Sequence, residues 1–235
     1  HQPIDLDEAR YQLAYIAFHM MANHEKQITR TKLTSLLKEA RKELSELVSA
    51  EEKPTEFIKN IEQRSALLIQ KGYKRAENGR RDAVYEFQHL TFQEYLAACA
   101  INESCYPGAQ EGDDPVNIIT PYLTDKTMKE VISLVAVRLG RFYPNKLVDG
   151  IITKLRVGDH AADEQTQLRD LLLQFVADEV PLSAEKIDQI LSCCFERSLW
   201  STDVGMLRQI LEGRNSHKLK SFFIQVDKEH NNGYN

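Results

Sequence analysis

The apolar positions of this chain change period twice. They recur at helical spacing through the first seventy or so residues, shorten to strand-like alternation, and return to helical spacing from Leu90 onward. The first helix begins at Leu6-Asp7, with Asp7 and Glu8 suited to its N-terminus. Leu13, Ile16, Ala17, Met20 and Met21 form its apolar stripe, joined by Tyr11, Tyr15 and Phe18, and it ends near Asn23. Thr31 is the expected N-cap of a second helix that buries Leu33, Leu36, Leu37, Ala40 and Leu44. After a loop at 49–54, a third helix puts Phe57, Ile58, Ile61, Ser65, Leu68 and Ile69 on one side, and Gly72 stops it. Residues 73–76 and 83–87 read as two strands joined through an Asn78-Gly79 turn. Three helices and a two-stranded hairpin make the winged-helix order.

The stretch Tyr85-Glu86-Phe87-Gln88-His89-Leu90-Thr91-Phe92-Gln93-Glu94-Tyr95-Leu96-Ala97-Ala98 turns from strand to helix. Tyr85, Phe87 and His89 share one side of the alternation, and Glu86 and Gln88 the other. Thr91 and Glu94 stand three apart, the spacing of a capping box, so Thr91 is the expected N-cap. Phe92, Tyr95, Leu96 and Cys99 follow at helical spacing, and the aromatics Phe87, Phe92 and Tyr95 read as core anchors. Ala97, Ala98 and Ala100 would let another element approach closely. His89 then lies at a helix start, where partial positive charge and free amides suit a phosphate. On spacing alone a histidine at a strand end is more often a hydrogen-bonded structural residue than a ligand contact.

From Phe87 and His89 through Ala98, the stretch resembles the motif that closes the winged-helix domain of NACHT-type signalling NTPases, a family that includes animal NOD-like receptors and many bacterial proteins. The likeness covers residues 5–104. In that family the histidine of the motif contacts the β-phosphate of bound ADP and holds the protein closed, so the resemblance assigns nucleotide contact to His89. It also implies ADP or ATP, with magnesium, in an upstream nucleotide-binding domain of the same protein, and none bound by this fragment alone. The implied partners are that upstream domain and further copies of the protein on activation. The implied settings are signal transduction and antiphage or innate defence; separately, reduced thiols in a cytoplasmic protein are the default reading of the four cysteines.

Residues 102–115, with Pro107-Gly108, Gly112 and acidic Glu111, Asp113 and Asp114, read as a loop and a candidate domain boundary. Beyond it every segment is helical. Asp125 or Thr127 caps a helix that ends at Gly140; Asn145 opens another, ended by Gly158-Asp159. A third runs from about Asp163 to Ala177, a fourth follows the Ser183 cap, and Trp200 closes this region. Two shorter helices, 204–211 and 219–226, complete the chain, and the tail from Lys228 reads as frayed. The helices come in pairs without a fixed-period motif, as in an α-solenoid or a bundle. The segment from Ile119-x-Pro121-Tyr122-Leu123 to Val131-Ile132 is similar to the start of the corresponding region in bacterial family members. The expected fold is therefore mainly α. A winged-helix domain at 1–104 with a small hairpin precedes an all-α helical domain at 116–226, read as the start of a repeat sensor.

Composition removes several alternatives. A net charge of −5 gives no global pull toward nucleic acid, and no apolar run reaches membrane-span length. The chain opens at His1, as expected for a fragment of a longer protein or a tag remnant. Cys99, Cys105, Cys193 and Cys194 have neither C-x-x-C nor zinc spacing, and of Cys193 and Cys194 one is expected in the core and one partly exposed. No phosphate loop of the G-x-x-x-x-G-K-[ST] type, G-x-S-x-G elbow or H-E-x-x-H pair occurs, so this chain is not expected to be an enzyme by itself. Asp159-His160 beside Asp163-Glu164 reads as a polar loop in preference to a metal site. The competing reading is a DNA-binding transcriptional regulator with a helical effector domain. Lys71, Lys74, Arg75, Arg80 and Arg81 around the hairpin favour it; the mixed face of the third helix, with Glu56 and Glu62 beside Lys59 and Arg64, opposes it.

Overall fold

The computed structural model describes residues 6–48, 52–76, 79–140, 142–157, 161–195 and 204–232, and its chain divides into two compact units, His1–Ile118 and Ile119–Asn235. Trp200, Asn78, and the Gly158-Asp159-His160 segment lie outside the described residues.

In the first unit, α1 (Leu6–Ala22) is surrounded by protein: every residue from Gln12 to Phe18 is buried, so the expected stripe is a whole circumference. α2 (Arg30–Glu43) buries Leu33, Leu36, Leu37 and Ala40, and α3 (Pro54–Arg64) buries Phe57, Ile58 and Ile61. The cap of α2 is Thr29, one turn-fraction earlier than Thr31: its hydroxyl accepts from the Lys32 amide at 3.3 Å. Thr29 also closes a short strand β1 (Ile28–Thr29), which the sequence pattern does not announce because two residues carry no period. The third helix stops at Arg64. Ala66 takes the left-handed conformation at φ 51°, and the chain then enters β2 (Leu68–Arg75), so Leu68 and Ile69 belong to a strand. Gly72 does not stop a helix; at φ 154° it sits in β2 where the register shifts between Gln70 and Gly72. β3 (Arg81–Phe87) pairs antiparallel with both neighbours, giving the order β1-β3-β2, with Ile28 opposite Tyr85 and Leu68 opposite Phe87. The wing is thus part of a three-stranded sheet.

α4 (Leu90–Asn102) packs along α1 more extensively than any other pair of helices. Ala97, Ala98, Cys99 and Ala100 are all at 0% exposure, as are Ala14 and Ala17 of α1, and such small side chains allow two helix backbones to approach closely. The loop after α4 is folded back onto the unit. Ser104 adopts φ 50°, the Cys105 amide reaches back to the Ala100 carbonyl at 2.9 Å, and Arg10 pairs with Glu103. Tyr106 stacks on Phe18 at 5.3 Å and donates to Asp113, while the Gly108 amide donates to Glu43 at 3.0 Å. α5 (Pro115–Ile119) follows it.

The second unit contains α6 (Lys129–Arg138), α7 (Phe142–Val157), α8 (Ala162–Ala177), α9 (Ala184–Phe195), α10 (Val204–Glu212) and α11 (Ser216–Asn232). α6 packs on α8 and α8 on α10; α7 packs on α9 and α9 on α11; and α6–α7, α8–α9 and α10–α11 pack within pairs. α7 also packs on α8, so consecutive helical hairpins lie against one another among the described residues. The starts of α6, α8 and α10, at Lys129, Ala162 and Val204, are unevenly spaced, so no period shows in the sequence. Asp178 after α8 accepts from Ser133 of α6 at 2.6 Å and from Gln209 of α10 at 3.4 Å. In the other layer Lys186 of α9 pairs with Asp149 of α7, and Lys218 of α11 with Asp188 of α9 at 2.8 Å. Several ends differ from expectation. Met128 is the N-cap of α6, and Asp125 instead accepts from the Thr127 amide and hydroxyl. α7 begins at Phe142, and α11 starts at Ser216 and continues past Lys228. Ser183 caps α9 as expected, accepting from Lys186 at 3.3 Å, and Cys194 is buried where Cys193 is partly exposed.

Two measurements check this packing. Ala97→Leu should destabilise the first unit by about 1–3 kcal/mol through overpacking against α1, read from the urea midpoint. Ser104→Gly should raise stability by about 0.5–1 kcal/mol, the left-handed penalty of a side chain less the entropy cost of glycine; no rise in the thermal midpoint would contradict the helix end described above.

Candidate functional site

The ladder between β2 and β3 carries on one bond past the strands, with the Gln88 amide donating to Leu67 at 2.9 Å. His89 is the next residue and the last extended one, at φ −129° and ψ 138°. It is the N-cap of α4: its carbonyl accepts from the Phe92 amide at 3.1 Å, but its side chain caps nothing. The expected capping box of Thr91 and Glu94 is therefore absent. Thr91 lies inside the first turn and Glu94 is buried. The reason is which face α4 must bury. With the helix starting at Leu90, Gln93, Leu96, Ala97 and Ala100 line up toward the interior. Phe92 is then 41% exposed and Tyr95 44%, so these two aromatics are not core anchors, whereas Phe87 is. Only small side chains fit between α4 and α1, which turns the large ones outward.

His89 is exposed and its ring meets that of Phe92 edge to face, with centroids 5.5 Å apart. Beside it Leu90 is 58% exposed. The His89 imidazole, the Phe92 ring and the exposed Leu90 thus lie in the first turn of a helix whose cap residue leaves the first amides to other acceptors, and Tyr95 is exposed further along it. Such a place suits an anion carried on a larger, partly apolar body. Among the described residues no group of three or more His, Cys, Asp or Glu could hold a metal ion.

Buried polar groups missed by the hydrophobic pattern hold the junction in place. Gln93 of α4 donates to the Glu25 carbonyl at 3.5 Å, and Glu25 pairs with Lys32 of α2. α1 ends beside them: His24 takes φ 54° and the Glu25 amide closes onto the Met20 carbonyl at 2.8 Å. Gln12, 2% exposed, accepts from Arg41 of α2 at 2.7 Å, and Arg41 also donates to the Glu52 carbonyl. Nothing in spacing or period marks Gln12 or Gln93; an isolated polar residue within an apolar run is their only signal. The wing charges are partly used within the fold: Lys71 pairs with Glu86 at 2.9 Å, and Asp82 accepts from the Thr31 amide at 3.3 Å.

Residues 2–101 match the family model of the winged helix-turn-helix domain C-terminal to NACHT. That part of the chain belongs to this family. The match ends within α4, so it takes in the three helices, the sheet and the motif with His89. Neither curated proteins nor solved structures give a match to the chain. The NACHT-associated winged helix is the module that follows the NTPase domain and is not the catalytic NTPase domain itself. No described helix of the chain is long and apolar enough to cross a membrane.

The corner under the motif titrates. His19 sits in the last turn of α1 with its Nε2 buried and without a hydrogen bond among the described residues. Burial, helped by the nearby Lys32 charge, lowers its pKa from the ordinary 6.5, and Glu25 and Glu39 oppose the shift less strongly. The folded winged helix then binds fewer protons than the unfolded chain just below pH 6.5, so stability is lost as pH falls through that range. Urea midpoints taken from about pH 7.5 to about pH 5 should fall less steeply for His19→Gln than for the unsubstituted protein; parallel slopes would exclude His19 as the group responsible.

Proposed function

We propose that this chain is the regulatory, ADP-closing part of a NACHT-type signalling NTPase. The observation that carries the reading is the coincidence of two facts: residues 2–101 match the NACHT-associated winged helix, and its motif histidine, His89, stands exposed at a helix start. In the resting protein the winged helix at 1–104 closes over ADP held by the upstream nucleotide-binding domain, and His89 donates a hydrogen bond to the β-phosphate. Magnesium and the phosphate loop belong to that upstream domain. Exchange of ADP for ATP removes the preference for the closed arrangement, the winged helix moves, and copies of the protein associate. The helical region at 116–226 then leads toward a sensor. Signal transduction in the cytoplasm, in defence against phage, is the setting that fits this reading.

The magnitude is suitable for a switch. A charge-assisted histidine–phosphate hydrogen bond contributes roughly 1.5–3 kcal/mol, enough to bias two arrangements without locking one. The test is nucleotide retention in the full-length protein. After purification and denaturation, the unsubstituted protein should release bound ADP, and His89→Ala should release about ten- to a hundredfold less at equal dilution times, with association in the absence of a trigger. Equal ADP content in both would remove His89 from the phosphate.

A further inference from the structure

We propose that Phe92 is the positioning residue of the site: its ring holds the His89 imidazole in the one orientation that a phosphate contact requires. This rests on the reading of His89 as the phosphate contact.

An exposed histidine at an N-cap is expected to sample several rotamers, because neither its backbone nor a neighbouring turn restricts it. Here no hydrogen bond holds the His89 ring among the described residues, and its side chain does not cap α4. What it does have is Phe92, with ring centroids 5.5 Å apart and planes at 64°. This edge-to-face arrangement is the favourable one for two flat π-systems. Helix geometry supplies it. Phe92 lies three residues after His89, and helical side chains lean toward the N-terminus, so a residue at that position covers the turn before it.

Exposure separates this role from a structural one. Phe92 keeps 41% of its surface in water, against 7% for Leu96 and 0% for Ala97 on the inner side of the same helix. A ring so exposed contributes little to the core, and a polar residue there would be less costly to hold in water.

The experiment has two arms on the same variants. In this 235-residue chain, the His89 ring proton resonances report the Phe92 ring current by NMR. In the full-length protein, the rate of ADP loss on dilution reports the contact. Phe92→Ala should move the His89 resonances toward their unstructured positions, leave the urea midpoint nearly unchanged, and speed ADP loss about three- to tenfold. Phe92→Tyr, which keeps the ring, should restore both. Phe92→Ala that shifts the resonances yet leaves ADP loss unchanged, while His89→Ala speeds it, overturns the positioning role and spares the phosphate contact. Unchanged ADP loss in His89→Ala as well overturns the phosphate reading, and the inference with it. Unshifted resonances in Phe92→Ala show that the ring does not hold His89.

Discussion

The close approach of α1 and α4 is the constraint from which the rest of the first unit follows. Four consecutive residues of α4, Ala97 to Ala100, have no exposed surface, and neither do Ala14 and Ala17 of α1, the helix on which α4 packs most extensively. Two helices can pack this closely only if neither puts a large side chain between them. α4 must therefore turn Phe92 and Tyr95 away from α1, and they land on the surface next to His89. Burying them would require α4 to rotate, which would bring Ala97 and Leu96 out. The aromatic surface is thus the other side of the packing requirement.

His89 inherits its position from this arrangement through two short connections. On one side the β2–β3 ladder runs up to Gln88; on the other α4 begins at Leu90, leaving a single extended residue between sheet and helix. Thr29 fixes the opposite side of the sheet by serving twice, as a ladder residue opposite Val84 and as the cap of α2. Buried polar bonds complete the frame. Gln12 and Arg41 join α1 to α2 and to the segment before α3, and Gln93 joins α4 to the end of α1. Each lies where an unsatisfied group would cost about 1–3 kcal/mol, so each specifies one register for its helix.

These features were unequally legible in the sequence. The winged-helix order, the motif and the helical second half could be read from period and resemblance, since long amphipathic segments such as α2 and α9 announce themselves. Three kinds of feature could not. Helix ends closed by non-glycine residues, at His24, Ser104 and Glu179, lack the glycine that marks such an end. The inner face of α4 is mostly small or polar, with Leu96 among alanines and Gln93, so hydrophobicity pointed to Phe92 and Tyr95 as core where they are not. Residues 64–72 carry apolar side chains at both helical and alternating spacing, and the choice of strand from Leu68 is made by pairing with β3, a contact from nearly twenty residues away. Of the site, the position of His89 at the strand-to-helix junction was legible; the open rings around it were not.

The exposed rings also matter to the energetics of the proposed switch. Moving a two-state equilibrium from 1:99 to 99:1 takes about 5.5 kcal/mol of differential binding. One histidine–phosphate hydrogen bond, at roughly 1.5–3 kcal/mol, falls short of that. Leu90, Phe92 and Tyr95 are each about half exposed, and covering what remains of such side chains contributes on the order of 1 kcal/mol apiece. Together the two contributions reach the required range, and neither does so alone. A closed state built this way depends on the nucleotide for only part of its stability. On the proposed reading, loss of the phosphate contact would then loosen the winged helix while leaving the apolar contribution in place.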